Sequence, residues 1–348
     1  MAKEKDNKTE GAKPAESTML VGQQKMTATT FILQYNAVIL LVLLIIISSF
    51  MSKYFFTFTN LVNVFRQQAT YLVIAMGLMV CMTAGGIDLS LATTTGLACI
   101  LITEFNMNQN FGIVTSLVLS LLICALVGAV NGGLVAYLGM PPFIVTLSMS
   151  FCLTGVVYLI TRGVNLQMTG IGRSVTGALK VFIDFGQEND PILHLPWKIY
   201  LAFLIILVTW FIMKYTAFGR LMTATGSNPI AARLAGIDIR KYRLAGHIIA
   251  SFTAGIGGIV ITASTGASAP ATINGDYTMI AIAATIIGGS DLMGGRGSVP
   301  FSVVGIFVMG LINNIMNLSN IPAYPQYIVK AIVIVLAIFL RSVVDARK

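Results

Sequence analysis

Charge is what this sequence has least of. Only 10% of its 348 residues are Asp, Glu, Lys or Arg, less than half the quarter or so that covers a soluble domain. With 56% hydrophobic residues and a mean hydropathy of +0.85, most of the surface faces something other than water, and lipid is the simple answer. Histidine is nearly missing too: His194 and His247 build no HExxH-type metal centre. The four cysteines, Cys81, Cys99, Cys124 and Cys152, lie in apolar stretches without CxxC spacing, and read as packing thiols. No Gly-Lys dipeptide occurs, so there is no Walker A loop, and no GxSxG motif or intramembrane carboxylate pair suggests hydrolysis. Active work by this chain would draw its energy from another.

What is present is a series of long apolar runs with short connectors. A helical span needs about 20 such residues; a β-barrel would alternate instead. Ten spans are expected, at 31–51, 67–84, 89–102, 111–130, 143–160, 199–213, 244–263, 277–288, 299–315 and 328–340. Residues 1–30, polar with five lysines and four acids, read as a disordered cytoplasmic tail. The membrane domain then occupies 31–342, and 343–348 form a second cytoplasmic tail. With both termini inside, fifteen of the 22 basic residues fall on the cytoplasmic side and seven outside. That is the bias the positive-inside rule demands, and it accounts for the net charge of +9 without nucleic acid. The fold class is therefore an all-α, multi-pass membrane protein.

Two connectors are long, 161–198 outside and 214–243 inside. The first is polar, and its Asn189-Asp190-Pro191 turn breaks any helix. The second carries six bases against one acid, Asp238. Its middle predicts a short helix: Ser227 or Asn228 can cap it, Pro229 suits its first turn, Ala231, Ala232 and Leu234 favour it, and Gly236 ends it. Two turns are unstable alone, so this helix is either a docking element or part of a basic loop on lipid headgroups.

Gly85-Gly86-Ile87-Asp88-Leu89-Ser90 and Gly288-Gly289-Ser290-Asp291-Leu292-Met293 share Gly-Gly-x-Asp-Leu, an echo of the kind that internal repeats leave. Both aspartates are expected at span ends as helix caps, because an acid at mid-bilayer costs about 2.5–3.5 kcal/mol on insertion scales. A gating or substrate-contact role is the alternative. Gly128-to-Gly132 is a GxxxG packing point, and His247 reads as a packed, hydrogen-bonded residue.

Several of these segments together resemble one family. Ser227-Asn228-Pro229-x-Ala231-Ala232-Arg233-x-Ala235-Gly236-Ile237 looks like the coupling-helix region of the bacterial ribose, galactose and xylose ABC permeases. Gly85 to Ser90, Asn131-Gly132 with Pro141 to Leu147, Ile282 to Gly297, Asn313-Asn314 and Tyr327 to Lys330 resemble that family's other segments in order, over about residues 35–342. The resemblance implies a monosaccharide-import permease subunit of the bacterial plasma membrane. Its partners would be a cytoplasmic ATP-binding subunit, an extracytoplasmic sugar-binding protein and a second permease chain forming a homodimer. No cofactor is implied on this chain; ATP and Mg would sit on the ATPase. ATPase coupling falls to Gly226, Asn228, Pro229, Ala231, Ala232, Arg233 and Gly236. Gly85, Gly86, Asp88, Gly288, Gly289 and Asp291 would form gating or structural turns, and Asn131, Phe143 and Thr146 would line the path. A permease for nucleosides or branched-chain amino acids, or a self-sufficient secondary transporter, are the other readings.

Overall fold

In the computed structural model the described residues are 35–169 and 175–345, so the expected tail at 1–30 lies outside them, as do 346–348. The helices are α1 (Asn36–Met51), α2 (Phe58–Thr83), α3 (Leu91–Met107), α4 (Ile113–Ala136), α5 (Pro142–Thr161), α6 (Gly177–Gln187), α7 (Trp197–Tyr215), α8 (Ala217–Ser227), α9 (Pro229–Leu234), α10 (Ile239–Thr265), α11 (Tyr277–Ile287), α12 (Val299–Leu318) and α13 (Ala323–Asp345). Two short strands, β1 (Leu166–Gln167) and β2 (Ala267–Ser268), pair antiparallel. Each of the ten expected spans falls on one of these helices, and six (α2, α4, α5, α7, α10 and α12) are long and apolar enough to cross a membrane.

Among the described residues, side-chain caps open four of the helices. Thr57 accepts a hydrogen bond from the Asn60 N–H at 3.4 Å to open α2, and Asp238 accepts one from the Arg240 N–H at 3.2 Å to open α10. Gly266, at φ +61°, closes α10 in the left-handed region. The long connectors hold more structure than expected. Residues 161–198 contain β1 and α6, whose buried Phe182, Ile183 and Gly186 form one face. Residues 214–243 contain α8 and α9 and the first turn of α10. Both segments are amphipathic, so mean hydropathy hides them.

Helix α10 is the axis of the fold; its 27 residues extend about 40 Å. Small residues let three helices close on it. Gly255 meets Cys124 and Leu121 of α4, Gly257 meets Ile74 of α2, and Gly258 meets Ala98 and Thr95 of α3. The GxxxG of α4 works in the other direction: a Cβ on Gly128 would lie 2.7 Å from the Ile248 Cα, and one on Gly132 2.9 Å from the Leu244 Cα.

Two segments re-enter the bundle. Helix α2 ends beside Gly246, where a Cβ would lie 3.2 Å from the Cys81 Cα. The chain then reverses and climbs through 84–90 without helical structure, so that α3 starts level with the middle of α10. There the Thr95 hydroxyl donates to the Ala254 carbonyl at 3.1 Å. From the other end, 266–276 turns back inward until Ile273 packs on Gly96 of α3. The beginnings of α3 and α11 meet, the Ala92 N–H donating to the Thr278 hydroxyl at 2.8 Å. Such non-helical backbone is tolerated at membrane depth only where protein buries it or where it lines a cavity.

The Gly-Gly-x-Asp-Leu echo has a local cause. In the first copy the Gly86 N–H donates to the Cys81 carbonyl (3.1 Å) and the Gly85 N–H to that of Met82 (2.9 Å). In the second, the Ser290 N–H donates to Thr285 (2.9 Å) and the Gly289 N–H to Ile286 (2.8 Å). These are the same helix-ending bonds, but the left-handed residue is Gly85 in one copy and Gly289 in the other, one step out of register. In its path through the fold, the counterpart of α2–α3 is α10–α11 rather than α11–α12.

Candidate functional site

Helix α9 forms where the sequence placed it. The Asn228 Oδ1 accepts the Ala231 N–H at 3.0 Å, Pro229 occupies the first turn, and Gly236, at φ +80°, ends the helix. Its outer face is apolar and basic: Ile230 is 75% and Leu234 85% exposed, and Ala231 and Arg233 are also open. Ala232 is the exception to the expectation for this helix. It is buried against the chain's own surface, so it helps to seat α9.

Below α9 three backbone turns touch through glycine. The Gly295 N–H donates to the Thr83 carbonyl at 3.0 Å, and the Ser227 hydroxyl to the Gly295 carbonyl at 3.2 Å. A Cβ on Gly294 would lie 2.6 Å from the Gly85 Cα and 3.1 Å from the Gly226 Cα; one on Gly226 would run into the Thr83 carbonyl and the Gly295 nitrogen. The end of α8, which leads into α9, is thereby locked to the α2–α3 and α11–α12 turns. A cavity of about 620 Å³ opens beside this junction, between Pro229 and the turn carrying Asp291, Met293 and Arg296. At that turn the Asp291 Oδ1 accepts the Met293 N–H at 2.9 Å, a local turn bond. Gly288 allows α11 to end directly against the Phe301 backbone of α12.

Asp88 departs most from expectation. It is fully buried, not at a wet span end, because the re-entrant segment carries it up beside α10. Its Oδ1 accepts the Ser90 N–H at 2.8 Å and the Ser90 hydroxyl at 2.6 Å; its Oδ2 accepts the Ser251 hydroxyl at 3.4 Å and lies 3.8 Å from the His247 Nδ1. The Cys81 Sγ is 3.5 Å from the same ring nitrogen, and Gly86 leaves room for that ring, since a Cβ there would lie 3.1 Å from Nε2. An acid so placed is held by pairing and hydrogen bonds, and the cluster joins α2, the re-entrant turn and α10.

Asn131 belongs to the same cluster: it is buried and donates to the Ser90 Oγ at 3.0 Å. Thr146 is also buried, donating to the Pro142 carbonyl at 2.8 Å. Both therefore face into the chain in this arrangement rather than onto an open path. Of the three expected path residues, Phe143 is the exposed one. It stands on α5, whose Ser148, Cys152 and Gly155 are also open.

Two ties were not anticipated. Asn60 of α2 and Asn314 of α12 exchange buried amide bonds at 2.8 and 3.2 Å. Lys330 of α13 pairs with Asp276, just before α11, at 2.7 Å. In sequence Lys330 opens a span and Asp276 lies in a polar turn; only the re-entry of 266–276 brings them together.

Glycine-packed helices, two re-entrant segments and a capped surface helix locked to the turns between spans are the parts of a solute-translocating membrane protein. A family profile described as "Branched-chain amino acid transport system / permease component" matches residues 60–338. The ribose import permease protein RbsC of Escherichia coli K12 is 32% identical over 320 residues, covering 91% of this chain and 96% of the relative. The D-allose transport system permease protein AlsC of that organism is 29% identical over 307 residues (88% and 90% of the two chains), and its xylose permease XylH is 30% identical over 338 (83% and 86%). No solved structure matches the chain. The chain belongs to this family of transport-system permease components, and is a transport subunit rather than an enzyme.

Proposed function

We propose that the chain is the membrane-spanning subunit of an ATP-binding-cassette importer for a monosaccharide in a bacterial plasma membrane. It would cross the membrane ten times with both termini cytoplasmic, which puts α9 inside and the β1–β2 pair outside. The observation that carries the mechanism is the glycine junction beneath α9. A cytoplasmic ATPase that grips Ile230, Ala231, Arg233 and Leu234 would pull on α8. Because Gly226 sits in van der Waals contact with the turn at Gly294, that pull reaches the α2–α3 and α11–α12 turns together. Asn228, Pro229 and Gly236 give α9 its shape, and Ala232 seats it. The path then alternates between two packed arrangements biased by nucleotide and by the loaded binding protein. ATP and Mg belong to the ATPase.

The sugar reading is favoured over amino acids by the ribose, allose and xylose relatives. The exposed face of α5 that carries the small residues Ser148, Cys152 and Gly155 suits a second copy across a two-fold axis, the path running between the copies. The test is uptake in proteoliposomes holding this chain, its ATPase and its binding protein. Ile230→Glu, on the outer face of α9, leaves insertion intact but abolishes stimulation of ATP hydrolysis by the loaded binding protein. Uptake by this chain alone, driven by an ion gradient, would end the proposal.

A further inference from the structure

The re-entrant segment 266–276 encloses open space as well as carrying backbone inward. A pocket of about 200 Å³ lies between β1, the last turns of α10 and the 3-10 turn Pro270–Asn274. We infer that this pocket is a monosaccharide subsite at the outer end of the translocation path, a reading that rests on the import function proposed above.

Its chemistry is specific. Asn165, the residue before β1, and Gln167, within it, both line the pocket with their amides. Thr272 adds a hydroxyl from the 3-10 turn, and Ile261, Ala267 and Ala269 supply apolar wall. The side chains of Asn165, Gln167 and Thr272 have no hydrogen-bond partner among the described residues. By contrast the Thr265 hydroxyl is committed to the Ala267 carbonyl at 2.7 Å, and the Met168 N–H holds β1 to the Gly266 carbonyl at 2.8 Å. The frame is therefore tied and the lining is free. Amides and a hydroxyl both donate and accept, as vicinal sugar hydroxyls require, while the methyl groups suit the C–H face of a sugar ring. None of the lining residues is charged, so a zwitterionic amino acid would leave two charges without partners. The volume falls below the roughly 300–1,000 Å³ of pockets for drug-sized ligands, which fits one sugar ring. The position fits as well. Asn165 follows the end of α5 at Thr161 within a few residues, and Leu166 and Ile273 pack with Leu153 and Val157 of α5, so the pocket lies at the outer end of that helix. Non-helical backbone of this kind suits the lining of a cavity, and a few neutral hydrogen bonds hold a sugar weakly enough to release it.

The test uses the complete transporter in proteoliposomes, with D-ribose, D-allose, D-xylose and L-leucine as probes. The variants are Asn165→Ala, Gln167→Ala and Thr272→Val, plus Ala267→Leu, which fills the pocket without removing a polar group. Each polar variant is expected to lower sugar moved per ATP hydrolysed about 3- to 10-fold, the worth of one hydrogen bond. The binding-protein concentration for half-maximal ATPase stimulation stays unchanged, and Ala267→Leu gives at least the same loss. Unchanged sugar per ATP in all four variants overturns the subsite. So does a loss that extra binding protein restores, because the pocket then receives a protein loop. If the wild-type complex moves leucine, or moves no sugar with ATP, the import reading itself fails and the subsite with it.

Discussion

Removing the Asp88 carboxylate tests the buried cluster beside α10. Asp88→Ala strips the acceptor from the Ser90 N–H, the Ser90 hydroxyl and the Ser251 hydroxyl, and removes the acid beside His247. All of these lie at fully buried positions. Breaking a buried pair from one side costs about 3–5 kcal/mol. Asp88→Asn keeps an oxygen for the Ser90 N–H and gives up mainly the charge, so about 1–2 kcal/mol is expected, the scale of one or two net hydrogen bonds. For a chain of this size each kcal/mol moves the melting midpoint by roughly 2 °C, which puts Asp88→Ala about 6–10 °C below wild type and Asp88→Asn about 2–4 °C below. Thermal melting of detergent-solubilised protein, followed by size-exclusion peak height, reads this directly. Because Asp88 and His247 share one cluster, Asp88→Ala with His247→Ala should lose less than the two single losses added, by at least about 1 kcal/mol. A midpoint for Asp88→Ala within about 2 °C of wild type refutes the reasoning, since it would mean that the carboxylate satisfies nothing.

Other contacts give further tests in the same assay. Gly128→Leu drives a side chain into the α10 backbone and should cost at least about 1–3 kcal/mol by overpacking, whereas Gly133→Ala on the same helix, with open space around it, should change little. Asn314→Ala leaves the buried Asn60 Oδ1 without its donor, while the Asn60 Nδ2 keeps the Phe55 carbonyl, and should cost about 1–3 kcal/mol, with the double change to Leu at both positions costing less than the two single changes together. Exchanging the partly buried pair as Asp276→Lys with Lys330→Asp should recover stability lost in either single variant. Asn228→Ala removes the cap of α9, worth about 1 kcal/mol, and should raise the ATPase concentration needed for half-maximal assembly several-fold.

The helices were legible where continuous hydropathy marks them, and α9 where cap, proline and glycine stand at fixed spacing. The GxxxG of α4 was legible for the same reason, because close approach needs small residues and little else. Depth was not. A polar turn such as Gly85 to Ser90 reads as a surface loop, since nothing in its composition says that the chain doubles back into the bundle. That reversal made Asp88 look like a span-end cap, hid its pairing with His247, and separated Asp276 from Lys330. The amphipathic α6 and α8 were missed because they bury one face only, and the Gly-Gly-x-Asp-Leu echo reflects a shared helix-ending device rather than matching halves.

The central claim is that force on α9 reaches the spans through the glycine junction. Gly294→Ala tests it most directly: the added methyl presses on Gly85 and Gly226 while the outer face of α9 is untouched. In reconstituted transporter the account predicts that the ATPase still binds with unchanged affinity, while sugar uptake and stimulation by the loaded binding protein both fall at least about tenfold, a coupling loss of about 1.4 kcal/mol. Uptake and stimulation at wild-type levels in a correctly inserted Gly294→Ala protein would contradict it.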